Sequence, residues 1–83
     1  MEEVINSIEN LENRFNNIYN SALSDKDNKN RYCKIESMRL IMYDMNSIKE
    51  EPDNDVHIQK IVFEKQLDMA QKFSNLATNM GPF

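Results

Sequence analysis

From Val4 to Ala22 the apolar residues fall at Val4, Ile8, Leu11, Phe15, Ile18 and Ala22, spaced four, three, four, three and four apart. That alternation is the heptad seam of a helix packing lengthwise against another helix. The opposite face carries Asn6, Asn10, Asn13, Asn17 and Asn20 at the same spacing. Asparagine is a poor helix former, costing a few tenths of a kcal/mol per position relative to better residues. A helix so composed draws its stability from burying its apolar stripe, either within the chain or against another molecule.

Two polar breaks divide the rest. The run SDKDNKN, Ser24 to Asn30, interrupts the apolar pattern and supplies several side chains able to cap a following helix. In that next segment Ile35, Met38, Met42 and Met45 make one seam, and Ile41, Met45 and Ile48 an adjacent one. Tyr32, Leu40 and Tyr43 form a further stripe, so the second helix has apolar contacts to offer on two sides. Pro52 disfavours helical geometry at the residue before it, and Asp53, Asn54 and Asp55 are cap candidates. The third segment carries Val62, Met69, Phe73, Leu76 and Met80 on one seam and Phe63, Leu67, Ala70 and Ala77 on its neighbour, an apolar arc close to half the circumference. Gly81-Pro82 ends it, glycine suiting a left-handed cap and proline being unable to continue.

The pattern predicts an all-α protein, a single helical domain over residues 1–83 with helices at about 3–23, 29–50 and 54–79. It closes as a small three-helix bundle or as an extended helical hairpin with coiled-coil-like packing. A chain of 83 residues buries only about 60–65% of the surface its unfolded form exposes, so its stability is modest and a partner has room to add to it.

Candidate chemistry is sparse. DKDNKNRYCKIE, Asp25 to Glu36, has acids at the first, third and twelfth positions of a calcium-loop frame, but Lys29 stands at the fifth and Asn30 at the glycine position. DNDVHIQKIVFE, Asp53 to Glu64, repeats the start and the final Glu, with His57 and Ile58 at those places. Both frames fail at the turn, and acids ahead of a helix are explained by capping and the helix dipole. His57 shares the polar face of helix 3 with Glu64 and Asp68 and reads as a solvated first-turn residue. Cys33 reads as a small apolar filler, although Arg31 and Lys34 beside it make a lowered thiol pKa conceivable. With Gly81 as its one glycine, the chain has no phosphate loop and no nucleophile elbow. The expectation is a protein that is not an enzyme and takes neither cofactor nor metal.

Charge and targeting signals bound the setting. Ten Lys and Arg lie scattered among fourteen Asp and Glu, for a net charge of −4, which is not a nucleic-acid footprint. The opening MEEVINSIEN is acidic where a signal peptide is basic and then apolar, and one cysteine excludes an internal disulfide framework. The longest apolar run, LIMY at Leu40 to Tyr43, is far short of the ~18–20 residues that span a bilayer. Helix 1 also lacks the basic polar face that draws a helix to anionic lipid. A cytoplasmic chain is expected, with no nucleic-acid or membrane partner.

What remains is packing surface. The leading expectation is a non-enzymatic protein–protein interaction module, a small chaperone, adaptor or assembly subunit acting by coiled-coil or helix-in-groove contacts. Its partner is a helical protein or a second copy. Two stripes are candidates for the contact: Ile8, Leu11, Phe15 and Ile18, flanked by Glu12 and Arg14, and Tyr32, Leu40 and Tyr43. Tyrosine in the latter gives large contact area with a polar tip. The methionines read as gap-fillers of an ordinary core or as an adaptable groove.

Alternatives are an inhibitor or regulator occluding a partner enzyme, through acidic helix 1 if that enzyme acts on nucleic acid, and a calcium-responsive switch. In size and in joining helices by a Pro-Asp-Asn turn, Pro52 to Asn54, the chain resembles the small helical subunits and chaperones of type III secretion machines. The resemblance is one of architecture, with no shared motif, and implies a secretion-apparatus-type subunit only by analogy.

Overall fold

The computed structural model describes residues 2–50 and 56–80, which form three helices: α1 (Glu2–Ser24), α2 (Asn28–Glu50) and α3 (Val56–Met80). The Pro52 turn, Asp53 and Asp55 of the second calcium frame, and the Gly81-Pro82 stop lie outside the described residues. So does the side chain of Met80.

The link between α1 and α2 is built from aspartates. The Asp25 backbone N–H donates to the Ala22 carbonyl at 3.2 Å, closing α1 with a tightened last turn. Asp25 Oδ1 accepts from the Asp27 N–H at 3.0 Å, an Asx-turn, and Asp27 Oδ1 accepts from the Lys29 N–H at 2.9 Å. Asp27 is thus the N-cap of α2, an arrangement that contributes about 1 kcal/mol, and its carbonyl takes the first helical bond, from Arg31 N–H at 3.0 Å. So short a turn sends α2 back antiparallel to α1. Lys65 of α3 reaches Glu12 and Lys72 reaches Asn16, so α3 runs in the direction of α1. The result is an up-down-up bundle 41 × 18 × 15 Å, and every pair of helices is in contact. The extended hairpin is thereby set aside.

The core is a single cluster. From α1 it takes Ile8, Phe15 and Ala22, from α2 Ile35, Met38, Ile41 and Met45, and from α3 Ile58, Val62, Met69 and Leu76. No polar or charged side chain is buried among the described residues. In α1 the buried positions are every seventh residue of the seam, while Val4, Leu11 and Ile18 pack against the cluster from its edge. Ile5 and Tyr19 join on the flank facing α3, which a single-seam reading of α1 leaves out. α1 is the most sharply amphipathic helix and α2 the least, as follows when α2 spreads apolar residues around its circumference.

Polar contacts then fasten α3 to α1 along the outside. The Lys65 ammonium lies 3.1 Å from Glu12 Oε1 and 2.9 Å from Oε2. The Lys72 ammonium meets Asn16 Oδ1 at 2.7 Å and Asp68 Oδ2 at 3.0 Å, and stands 5.9 Å from the centre of the Tyr19 ring. The hydrogen bond that the Lys65 ammonium donates to Glu12, more than the opposing desolvation, raises the Lys65 pKa above its ordinary 10.5. A raised pKa in the folded state means that the stabilisation is complete below the unfolded value and disappears as pH climbs through the folded one. Melts from pH 9 to 12 should therefore show wild type converging on Lys65→Met. The gap at pH 9 should be a few tenths to about 1 kcal/mol, as for other partly exposed pairs. A gap that is constant with pH would mean the contact is not ionic.

Candidate functional site

The two stripes named as candidate contacts part company in the fold. Ile8 and Phe15 are fully enclosed, and Leu11 and Ile18 rest against the core, so the α1 seam is consumed inside the monomer. This corrects the expectation that Ile8 and Phe15 offer a face to a partner: α2 and α3 both stand on that side of α1 and cover them. Glu12, which flanks that stripe, is held by Lys65. Tyr32, Leu40 and Tyr43 point outward, with Leu40 and Tyr43 each 62% exposed.

The neighbouring row of α3 stands outside as well. Phe63 is 49% and Leu67 58% exposed, and Ala70 and Ala77 are exposed with them. The half-circumference apolar arc expected of α3 is thus only partly buried. In a three-helix bundle each helix has two neighbours, and the arc they cover on α3 ends where Gln66 Nε2 donates to Asn46 Oδ1 at 3.3 Å. Apolar residues beyond that pair remain at the surface.

Between α2 and α3 this leaves an open groove of about 400 Å³. Met42, Tyr43 and Asn46 form one wall and Phe63, Gln66, Leu67 and Ala70 the other, with no formally charged side chain in the lining. Charges stand at its margins. Arg39 pairs with Glu36 at 3.0 Å on α2, while Lys60 and Glu64 are exposed one turn apart on α3. Of the described methionine side chains, Met38, Met45 and Met69 are ordinary core, and Met42 lines the groove. A second hollow, about 440 Å³ between α1 and α3, is bridged by the Lys65–Glu12 pair and is more polar.

The other candidate residues do not assemble into a reactive centre. In the first calcium frame Asp25 and Asp27 are committed to backbone N–H groups. Asp25 also binds the Lys34 ammonium at 2.8 Å, and that bond, with the Asp27 N–H, holds its pKa below the ordinary value of 3.8. Among the described residues no group of three His, Cys, Asp or Glu is placed to hold a metal ion. Cys33 is exposed rather than a core filler, because it shares the outward face of α2 with Leu40. His57 is exposed in the first turn of α3. With α2 and α3 antiparallel and level at Asn46 and Gln66, these two residues sit near opposite ends of the bundle, roughly 30 Å apart at ~1.5 Å per residue. No nucleophile–base pair arises from them.

No described helix is long and apolar enough to cross a membrane. No protein-family model, no curated protein sequence and no solved structure matches the chain. The chain is a small all-helical domain that carries an uncharged groove between α2 and α3.

Proposed function

We propose that this protein is a non-enzymatic interaction module, cytoplasmic in setting, that receives an amphipathic helix of a protein partner in the groove between α2 and α3. The observation that carries the reading is the uncharged lining from Tyr43 to Ala70, walled by Phe63 and Leu67, which lie past the edge of the core. Soluble monomers seldom leave apolar patches larger than a few hundred Å² in contact with water. A helix laid between α2 and α3 would complete a four-helix arrangement, its apolar face meeting Met42, Tyr43, Phe63 and Leu67. Aromatic anchors at the centre supply affinity, and margins bearing both signs of charge supply register. An adaptor or assembly subunit works in this way.

The test is site-specific photo-crosslinking in cells, with the reactive side chain placed at Tyr43 or Leu67 and, for comparison, at Asn10 or Asn17 on the outer face of α1. Protein adducts should form from the groove positions and not from the α1 positions. Adducts confined to α1 would sink the proposal.

A further inference from the structure

We infer that Met42 is a site of reversible oxidation that governs whether the α2/α3 groove accepts its partner. The inference rests on the reading of that groove as an interaction surface and adds its regulation.

Position is the first argument. Among the described methionine side chains, Met38 and Met45 are 0% and Met69 1% exposed, so an oxidant reaches them only when the bundle opens. Met42 is half-buried, packed against the core on one side and lining the groove on the other. A small peroxide can therefore reach it while the protein stays folded.

Chemistry is the second. Hydrogen peroxide transfers one oxygen atom to the Met42 sulfur: a sulfur lone pair forms the S–O bond, the O–O bond breaks, and the departing oxygen leaves as water. The thioether loses two electrons to become a sulfoxide, and the peroxide gains them. A sulfoxide reductase reverses the step with two electrons from a dithiol, which becomes a disulfide as the oxygen is released in water. The change turns a flexible apolar side chain into a polar hydrogen-bond acceptor.

What the added oxygen does depends on where it stands. The groove lining carries no formal charge, and its two amides, Asn46 and Gln66, are already bonded to each other at 3.3 Å. A sulfoxide at Met42 sets a new acceptor in the wall that faces Phe63, Leu67 and Ala70. In the free protein water meets that oxygen, and the fold is kept. Under the apolar face of a partner helix the water is lost and no donor replaces it, so docking is penalised. The same oxygen on Met38, Met45 or Met69 would enter a core in which no polar side chain is buried among the described residues, and would unfold the bundle. Oxidation at Met42 thus acts on the surface and leaves the scaffold standing.

The experiment treats the full chain with dilute hydrogen peroxide, following each methionine by peptide mass spectrometry and helicity by circular dichroism. Met42 should oxidise at least about tenfold faster than Met38, Met45 and Met69, which wait on opening of the fold, and helicity should be unchanged after that first oxidation. The chain carrying the photo-reactive side chain at Leu67 is then oxidised to that stage, freed of peroxide and returned to a lysate of the cells used for crosslinking. Its adduct yield should fall about tenfold. Met42→Leu, oxidised in parallel and compared with its own untreated yield, should lose nothing. Met42 oxidising no faster than the three core methionines overturns the inference, as does helicity lost with the first oxygen. An equal loss of adducts in the Met42→Leu chain places the sensitive group elsewhere and overturns it too. Adducts that survive oxidation of Met42 overturn the inference and leave the interaction module standing. An untreated chain that gives no adducts from the groove removes the proposed function, and the inference with it.

Discussion

Phe15→Ala should lower the stability of the monomer by about 3–5 kcal/mol, the range for truncating a buried phenylalanine. Phe15 is 0% exposed and is the largest fully buried side chain. It also sits midway along α1, where α2 and α3 both cover it, so the space it vacates is walled from two sides and cannot collapse cheaply. A chain of 83 residues has about 4–12 kcal/mol in total at ~0.05–0.15 kcal/mol per residue. The loss therefore consumes a large fraction of it and moves the midpoint of thermal unfolding down by on the order of 20 °C. Chemical denaturation at low protein concentration is the measurement. Stability unchanged, with association abolished, would return Phe15 to an interface and contradict the packing described above.

That contrast shows what could be read from the residues and what could not. The helical seam of α1 was legible because its alternating four-three spacing marks one continuous face, with only Ile5 and Tyr19 on its flank escaping that pattern. The three buried residues, Ile8, Phe15 and Ala22, are alternate members of it. The break at Asp25–Asp27 was legible too, since aspartates at those positions satisfy backbone donors whether or not they bind anything else. Periodicity becomes ambiguous where a helix has two adjacent apolar rows. On α3 the row of Val62, Met69 and Leu76 is buried and the row of Phe63 and Leu67 is not, yet both repeat at helical spacing. Which row turns inward depends on how the helix is rotated against its neighbours, a property of all three helices together.

Ile58 exemplifies the reverse error. It is 2% exposed and belongs to the core, one turn before Val62 on the same seam. Its spacing of four residues from Val62 marks it as a member of that seam, although it also falls at the glycine position of the failed calcium frame. Cys33 misled for a related reason: a small apolar residue a heptad from Leu40 reads as core only if Leu40 is core, and Leu40 is outside.

Val62→Asp should be the more damaging substitution, and its effect should depend on pH. Val62 is 0% exposed, and no polar or charged side chain is buried among the described residues that could receive a carboxylate. An ionised Asp there has neither water nor a partner, a cost of several kcal/mol that rivals the whole stability of the domain. Helicity at pH 7 should therefore collapse. The carboxyl prefers its neutral form in such a site, so its folded pKa lies above the unfolded value of about 3.9. Destabilisation by the charge is then complete above the folded pKa and is relieved as pH falls toward the unfolded one. Circular dichroism between pH 7 and 4 should show helicity returning as acid is added, while Val62→Asn, polar but without a titrating group, should show no such recovery. Leu67→Asp, five residues further along α3 but 58% exposed, should change monomer stability by no more than about 0.5 kcal/mol at either pH. If the two aspartates behaved alike, α3 would be rotated from the orientation described, and the groove that its outer row forms with α2 would disappear with it.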